Sequence, residues 1–305
     1  MKTTDTISIA ICTRNRAALL KPCLDALTIA LASRPTPVIV VDNASTDETR
    51  AIVEGCGSLN IQYVLEPKVG LSRARNTALA LCRTEYLVYL DDDAKPLPFW
   101  MDAIEEGIAR WHPPFFGGPY RPYYLGGKPR WFADSYGSMH YEKQEGPLPP
   151  NGFLSGGNMG WRVDLIRSLG GFPEHLGMID TRIGVGEETY LQLALKERGN
   201  NGHFFPRMEI LHFMAPEKMS LSYRARRMWQ SGLQARATNL GRSRARLRTL
   251  LYSMVFVPIH LAGMLFRDRT VDPCWQGYVY RRILPHLTYW GEFWARLSGQ
   301  RSKVD

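Results

Sequence analysis

The chain has 305 residues and a formal net charge of +9, and 45% of its residues are hydrophobic, 22% charged and 11% aromatic. This composition is that of an ordinary globular protein, which excludes a disordered, collagen-like or multi-span membrane chain. The positive charge is concentrated, because ten basic and no acidic residues lie between Lys218 and Arg267. A slightly acidic body therefore carries a strongly basic segment.

The cysteines and the N-terminus indicate a reduced compartment. The five cysteines are widely spaced and form no CxxC pair, so we expect neither a disulfide framework nor a zinc site. No apolar stretch precedes the first predicted strand, so we expect no signal peptide. The sequence thus predicts a cytoplasmic protein.

Strands and helices alternate through the first 90 residues. Short apolar, β-branched runs predict four buried strands, at 7–12, 38–41, 61–65 and 86–90. Apolar residues at helical spacing predict helices between them, at 16–32, 46–53 and 72–82. The alternation predicts βαβ units, and hence an α/β fold with a mostly parallel sheet flanked by helices.

Polar residues follow the predicted strands, and ligands of such sheets bind beyond the carboxyl ends of the strands. The strongest of these signals is the triplet Asp91-Asp92-Asp93. Adjacent carboxylates repel one another, and a divalent cation offsets that repulsion. Oxygen ligands suit Mg²⁺ or Mn²⁺, which neutralise a diphosphate. A solvated acidic turn is the alternative, and the buried strand directly before the triplet argues against it.

The chain from 111 to 198 is less regular. The stretch 111–150 is rich in Gly, Pro and aromatic residues and predicts an irregular binding wall with one or two short strands. A strand-like run at 153–161 and a helix at 187–198 follow, and the helix has acidic residues in its first turn. Three aromatic residues are candidates for stacking on a sugar, with burial in a core as the alternative: Trp131, Tyr136 and Trp161.

Seven motifs in succession resemble those of the family 2 glycosyltransferases, which have the GT-A fold. They are IAICTRNR (9–16), VVDNASTDET (40–49), GLSRARNTAL (70–79), YLVYLDDDA (86–94), SGGNMGWR (155–162), GGFPEHLG (170–177) and GEETYLQLAL (186–195). The resemblance spans about residues 5–215. It implies an inverting, metal-dependent transfer of a sugar from a nucleotide-sugar donor to a saccharide or lipid-linked acceptor, in the synthesis of cell-surface polysaccharide or glycolipid. A UDP-sugar is favoured as the commonest donor in this family, with dTDP- and GDP-sugars as alternatives.

The resemblance also implies residue roles. Glu188 is the expected catalytic base and Glu187 the alternative, although the second residue of this pair is Asp in the family motif. The expected ligands of Mn²⁺ or Mg²⁺ are Asp91, Asp93 and His212. The residues expected to contact the nucleotide-sugar are Thr13, Arg14, Asn15, Asp42, Asn43, Arg75, Asp91, Asp92, Gly157 and Asn158. Among these, Asp42 would accept from the uracil imide, and Arg75 would pair with a phosphate or with the aspartate triplet.

The C-terminal part predicts contact with a membrane. We expect a catalytic domain at 1–217 and a helical extension at 218–305, in which 223–248 forms amphipathic helices. The run 250–266 has no formal charge and contains Pro258, which predicts a break and an interfacial or re-entrant helix pair. Arginine-rich helices beside an apolar run indicate that 218–266 binds an anionic membrane, at the inner face of the cell membrane. A soluble helical subdomain is the alternative, and the apolar run argues against a nucleic acid partner.

Two other functions stay open from the residues alone. A nucleotidyltransferase shares the strand-end aspartates, but it generally has a Gly-rich phosphate loop after the first strand, which TRNRAALL (13–20) lacks. A non-catalytic basic module that binds a membrane or nucleic acid would account for the arginines, but it would leave both carboxylate clusters unexplained.

Overall fold

The structure is a computed structural model that describes residues 6–139, 141, 144–178, 186–238, 246–266 and 274–298. The chain divides into two compact units. The first holds the described residues of Met1–Tyr123, Gly137–Arg182 and Glu187–Phe213, and the second holds those of Tyr124–Tyr136, Ile183–Gly186 and Met214–Asp305. The domain boundary between 217 and 218 stays a prediction.

The first unit is built on a large sheet and a small one. Its strands are β1 (Ile7–Thr13), β2 (Pro37–Asp42), β3 (Asn60–Leu65), β4 (Tyr86–Leu90), β5 (Ala94–Pro96), β6 (Phe115–Gly117), β7 (Tyr120–Tyr123), β8 (Gly146–Pro147), β9 (Asn158–Arg162), β10 (His203–Phe204) and β11 (Ile210–Phe213). Its helices are α1 (Ala17–Leu31), α2 (Thr49–Glu54), α3 (Leu71–Leu81), α4 (Trp100–Trp111), α5 (Val163–Ser168) and α6 (Glu187–Glu197).

The large sheet has the strand order β3-β2-β1-β4-β9-β6-β10-β8, and the small sheet has the order β5-β11-β7. The pairs β1–β2, β1–β4 and β2–β3 are parallel, whereas β9 runs antiparallel to both β4 and β6. This arrangement confirms the predicted α/β fold with a mostly parallel sheet.

Two apolar cores cover the two faces of the large sheet, which explains why its central strands are almost wholly apolar. On one face, Leu20 and Leu24 of α1 and Ile104 of α4 pack on alternate residues of β1 and β4. On the other face, Ala74 of α3 and Leu191 of α6 belong to the second core. Because apolar side chains cover both faces of the sheet, polar groups of a functional site can gather only at its edge, where the strands end.

The second unit is mainly helical, which confirms the predicted C-terminal helices. Its helices are α7 (Leu221–Thr238), α8 (Arg246–Gly263), α9 (Trp275–Arg282) and α10 (His286–Leu297). Helices α7 and α10 cross closely at two glycines, since a Cβ at Gly232 would lie 2.1 Å from the Thr288 carbonyl oxygen, and one at Gly291 would lie 2.4 Å from that of Trp229.

The predicted break at Pro258 is wrong, because α8 continues through this residue. A proline inside a helix leaves the carbonyl four residues earlier without its amide partner. Here Pro258 and Met254 both lie on the exposed side of α8, and the helix nevertheless continues. Within the described residues, the structure contains no helix with the length and apolarity to cross a membrane. Three arginines of the basic segment, Arg242, Arg244 and Arg267, lie outside the described residues.

Close packing at Gly160 gives a stability prediction. A Cβ there would lie 2.2 Å from the buried ring of Phe116, so Gly160→Ala forces one of the two to move. We expect a loss of about 1–3 kcal/mol in the free energy of unfolding, measured by chemical denaturation. The control is Gly57→Ala, whose Cβ would meet nothing within 4 Å. Equal stability of the two variants would contradict the packing described here.

Candidate active site

The ends of β1 and β2 lie side by side because these strands pair in parallel register, with Thr13 opposite Asp42. The Asn43 amide donates to the Thr13 carbonyl (2.8 Å) and extends the pairing by one residue. Thr13, Asp42 and Asn43 are all buried. The polar residues that end or follow β1 and β2 therefore meet at one edge of the sheet.

Both carboxylate oxygens of Asp42 accept hydrogen bonds. Its Oδ1 accepts from the Ser45 amide (2.8 Å), and its Oδ2 accepts from the Tyr63 hydroxyl (2.8 Å). Burial and this bond to Asp42 raise the pKa of Tyr63 to about 12. Tyr63 therefore holds the orientation of the carboxylate expected to recognise the base of the donor.

Two asparagines connect loops at the same edge. Asn15 adopts a left-handed conformation (φ 51°), and its Oδ1 accepts from the Thr46 amide (2.7 Å). The Asn43 side chain donates to the carbonyl oxygens of Glu66 and Lys68 and accepts from the Gly70 amide (2.7 Å). Both side-chain amides thus shape the loops after β1, β2 and β3, and Arg14 lies half-buried beside Asn15.

The aspartate triplet follows β4, and an arginine between β1 and α1 binds two of its carboxylates. Arg16 Nη1 donates to Asp92 Oδ1 (2.8 Å) and to Asp93 Oδ2 (3.1 Å). Burial raises the pKa of Asp92 to about 6, against the opposing effect of Arg16. Charges of Asp92 and Asp93 raise the pKa of Arg16 above its ordinary value, although burial opposes this. Arg16 therefore offsets part of the repulsion within the triplet.

His212 reaches the triplet through strand pairing that is remote in sequence. Strand β5 starts at Ala94, directly after the triplet, and pairs with β11 so that Ala94 lies opposite His212. The Phe213 amide donates to the Asp93 carbonyl (2.9 Å). As a result, His212 Nε2 lies 3.1 Å from Asp93 Oδ1 and 3.4 Å from Asp91 Oδ2.

Asp91, Asp93 and His212 form a candidate metal site, because one ligand atom from each lies within 4.8 Å of the others. Adjacent ligands of an octahedral ion with bonds of about 2.1 Å are about 3 Å apart, which is close to the two distances from His212. Two carboxylates and an imidazole suit Mn²⁺ and also accept Mg²⁺. These residues therefore fit a divalent cation in both spacing and chemistry.

Arg75 links the triplet to the start of α6. Its side chain is only 4% exposed, and its Nη1 donates to Glu187 Oε1 (2.7 Å), while its Nη2 lies 3.9 Å from Asp91 Oδ1. Its guanidinium also lies over the rings of Tyr89 and Phe172. Burial lowers the pKa of Arg75, but the carboxylates of Glu187 and Asp91 outweigh burial and keep it above the ordinary value. Arg75 was predicted to pair with a phosphate or with the aspartate triplet, and the triplet is within its reach. Glu187 is a further partner that was not predicted.

Glu187 and Glu188 differ in environment although they are adjacent. Glu187 is buried and paired with Arg75, whereas Glu188 is half-buried. Burial and the charge of Glu187 raise the pKa of Glu188 to about 8, against the lowering effect of Arg75. One carboxylate is thus fixed by an ion pair, while its neighbour can exchange a proton near neutral pH.

The glycine pair before β9 allows close packing of these charged groups. A Cβ at Gly156 would lie 2.7 Å from Arg75 Nη2, and one at Gly157 would lie 2.2 Å from Asp91 Oδ2. Asn158 is fully buried, accepts from Trp100 Nε1 (2.9 Å) and donates to the Met208 carbonyl (2.7 Å). Its side chain therefore holds β9 to the core rather than lining the site.

Trp161, a candidate for stacking on a sugar, is fully buried between Phe115 and Phe172. Trp131 and Tyr136 lie in the second unit, where they pack with Tyr280. The sequence reasoning assigned no role to Arg16 or Tyr63. Arg16 stands inside the motif at 9–16, whereas the bond from Tyr63 to Asp42 has no signal in the sequence.

Comparison with known proteins adds an independent finding. The sequence model of glycosyl transferase family 2 matches residues 8–170. The succinoglycan biosynthesis protein ExoM of Rhizobium meliloti (strain 1021) is 28% identical over 234 residues, which cover 74% of this chain and 72% of that protein.

Two solved structures are similar over most of the chain. S. aureus TarS 1-349, in complex with UDP-GlcNAc, has a TM-score of 0.58 and 16% identity, covering 96% of this chain and 92% of its own. The mannosyltransferase PcManGT from Pyrobaculum calidifontis, in complex with GDP-Man and Mn²⁺, has a TM-score of 0.56 and 18% identity, covering 98% of this chain and 76% of its own. At these identities the likeness is one of fold.

Proposed function

The chain belongs to glycosyl transferase family 2, and from that premise we propose that it is an inverting, metal-dependent enzyme that transfers a sugar from a nucleotide-sugar donor. Its GT-A fold agrees with that of the two solved structures. The observation that carries the proposal is the convergence of Asp91, Asp93 and His212 with the Arg75–Glu187 pair at one edge of the sheet.

The donor side of the proposal rests on the acidic cluster. Asp91, Asp93 and His212 would hold Mn²⁺ or Mg²⁺, and the bound ion would stabilise the departing nucleoside diphosphate. Asp42 would accept from the base, since Ser45 and Tyr63 already fix its carboxylate. We propose a UDP-sugar as the donor, with a GDP-sugar as the alternative. The complexes of TarS with UDP-GlcNAc and of PcManGT with GDP-Man support these two choices.

We propose Glu188 as the base that takes the proton from the acceptor hydroxyl as its oxygen attacks the anomeric carbon. Its raised pKa lets it hold a proton near neutral pH. Arg75 holds Glu187 in an ion pair, and after burial the charge of Glu187 is the largest cause that raises the pKa of Glu188. Glu187 is thus better suited to position the start of α6 than to exchange a proton.

Relatives and charge support the proposed acceptor and location. We propose a saccharide or lipid-linked acceptor of cell-surface polysaccharide synthesis, reached from a peripheral position at the inner face of the cell membrane. The similarity to ExoM, a succinoglycan biosynthesis protein, supports this acceptor class. The acid-free basic segment supports the membrane location.

Product analysis tests the proposed reaction. The protein is incubated with UDP- and GDP-sugars, Mn²⁺ and candidate acceptors, and the products are identified by NMR. The proposal expects a nucleoside diphosphate and a product whose anomeric configuration is inverted. Release of a sugar 1-phosphate, with the nucleoside monophosphate carried to the acceptor, would indicate a nucleotidyltransferase instead, and absence of turnover with every donor and acceptor would favour a non-catalytic binding module.

His212→Ala gives a prediction for the third metal ligand. Removing the imidazole takes away one of three donors, so we expect Mn²⁺ binding to weaken at least about tenfold, measured by the electron paramagnetic resonance of free Mn²⁺. Turnover should need correspondingly more Mn²⁺, with the circular dichroism spectrum unchanged. The matched control is His175→Ala, an exposed histidine of the first unit. Unchanged Mn²⁺ dependence in His212→Ala would contradict the ligand role.

A further inference from the structure

Helix α8 and the turn after it have an inverted distribution of polarity. Ten positions between 251 and 266 are exposed, and each holds an aliphatic or aromatic residue, Met or Pro. The exposed fraction is 58% for Val255, 80% for Leu265 and 87% for Phe266. A helix of a water-soluble protein normally turns its polar side to solvent.

Three residues of this helix, Ser253, His260 and Gly263, lie on its inner side. Ser253 is fully buried and donates to the Leu250 carbonyl (2.8 Å). The His260 ring lies 6.0 Å from the ring of the buried His286 on α10. A Cβ at Gly263 would lie 2.8 Å from the Tyr278 hydroxyl oxygen on α9. One side of α8 is thus occupied by its own unit, and only the apolar side is left for a partner.

The exposed side forms a continuous stripe. The exposed residues between 251 and 266 are separated by one, two or three positions in the sequence. Residues at these spacings share one broad face of a helix. From 251 to 266 the stripe is about 22 Å long. Contiguous exposed apolar surface of this kind marks an interaction site. We call this stripe the outer face of α8.

We propose that the outer face of α8 lies in the boundary between headgroups and acyl chains of an anionic bilayer, with the helix parallel to the membrane plane. A helix packed on one side by α9 and α10 can bury its other side in lipid by lying along the surface of the bilayer. This inference deepens the membrane location proposed above. It rests on that proposal only for the choice of the inner face of the membrane.

Charge favours a lipid surface over a second copy of the chain. No acidic residue lies between Lys218 and Arg267, whereas Arg226 and Arg227 of α7 are exposed. Two copies paired through this face would bring two such acid-free segments together, which like-charge repulsion opposes. An anionic leaflet supplies the missing countercharge. Trp275 at the start of α9 is 47% exposed, and tryptophan is enriched at membrane interfaces.

The test is co-sedimentation of the full chain with vesicles of phosphatidylcholine, with and without phosphatidylglycerol. The test variant carries Val255→Glu and Ile259→Glu, both on the outer face. The matched control is Ile29→Glu, a 65% exposed apolar residue on α1 of the first unit. Circular dichroism checks that the variants fold. A second pair, Arg226→Gln with Arg227→Gln, tests the electrostatic contribution.

We expect the wild type and Ile29→Glu to sediment with anionic vesicles, and the Val255→Glu/Ile259→Glu variant to bind at least about tenfold more weakly. The arginine variant should bind more weakly only when phosphatidylglycerol is present. Equal binding of the outer-face variant and the wild type would overturn the proposal. So would a lipid-free dimer that the outer-face variant dissociates, because a second copy would then cover the face. Sugar transfer to a soluble acceptor, measured without lipid on the same preparations, reports separately on the proposed function.

Discussion

Replacing Glu188 by Gln is expected to lower the turnover number for sugar transfer by about a hundred- to ten-thousandfold, which is the usual contribution of a general base. Glutamine keeps the shape of the side chain but cannot accept the proton of the acceptor hydroxyl. Because the candidate metal ligands are Asp91, Asp93 and His212 and not Glu188, we expect the dissociation constant of the donor to stay nearly unchanged. Steady-state kinetics and calorimetric titration of the nucleoside diphosphate with Mn²⁺ measure the two effects.

The raised pKa of Glu188 adds a pH dependence. The base must be ionised to act, and with a pKa of about 8 only about a tenth of the free protein carries the ionised form at pH 7. We therefore expect kcat/KM to rise with pH below 8, roughly tenfold per pH unit, and to level off above it. This rising part of the profile should be absent from the residual activity of Glu188→Gln.

Glu187→Gln is the control that separates the two adjacent carboxylates. The charge of Glu187 raises the pKa of Glu188, and Arg75 lowers it. Glu187→Gln removes the charge that raises the pKa of Glu188 and frees Arg75 from its ion pair with Glu187, so the pKa of Glu188 should fall. We therefore expect the rising part of the kcat/KM profile to shift to lower pH while activity remains. If Glu187→Gln abolishes transfer and Glu188→Gln does not, then Glu187 is the base.

Replacing Asp93 by Asn is expected to lower Mn²⁺-dependent turnover by about a thousandfold or more, since a metal ion supplies several kcal/mol of charge stabilisation. Asp93 is almost fully buried, and its two oxygens face Arg16 and His212 respectively. Asparagine keeps the size of the side chain but removes the negative charge that Mg²⁺ and Mn²⁺ prefer in a ligand. Turnover at saturating donor across a Mn²⁺ titration measures the loss.

The control for Asp93→Asn is Asp25→Asn. Asp25 is an exposed residue of α1 that pairs with Lys21, and exposed pairs of this kind contribute little to stability. We expect this variant to match the wild type in turnover and in Mn²⁺ dependence. Asp93→Asn with the wild-type Mn²⁺ titration would show that Asp93 is not a ligand.

The alternation of strands and helices in the first 90 residues was predictable because it depends on local patterns. The apolar runs of β1, β2 and β4 are long enough to indicate strands buried on both faces, and their polar ends place Thr13, Asp42 and Asp91 at one edge. Helix α4 was missed although Trp100, Met101, Ile104 and Ile108 have helical spacing and are buried. That signal was local and available.

Features that depend on long-range contacts were not predictable from residue patterns. His212 was placed near the aspartates only by family resemblance, because the pairing of β5 with β11 joins segments more than 100 residues apart. The bond from Arg75 to Glu187 spans 112 residues. The burial of Asn158 likewise depends on Trp100 and Met208, which are 58 and 50 residues away in the chain.

In the helical extension, a local sequence signal was misleading. Pro258 was expected to break the helix, but α8 continues through it, with Pro258 on the exposed side. Composition did indicate an unusual segment at 250–266, yet only the packing of α8 on α9 and α10 reveals which side of the helix is left exposed.

The most direct test of a metal-dependent transferase is turnover of the nucleotide-sugar by protein stripped with EDTA, to which Mn²⁺ is then returned. We predict no transfer after stripping, saturable recovery as Mn²⁺ is added back, and no recovery in Asp93→Asn. Transfer at the full rate in the presence of excess EDTA would contradict the proposal that Asp91, Asp93 and His212 act through a divalent cation.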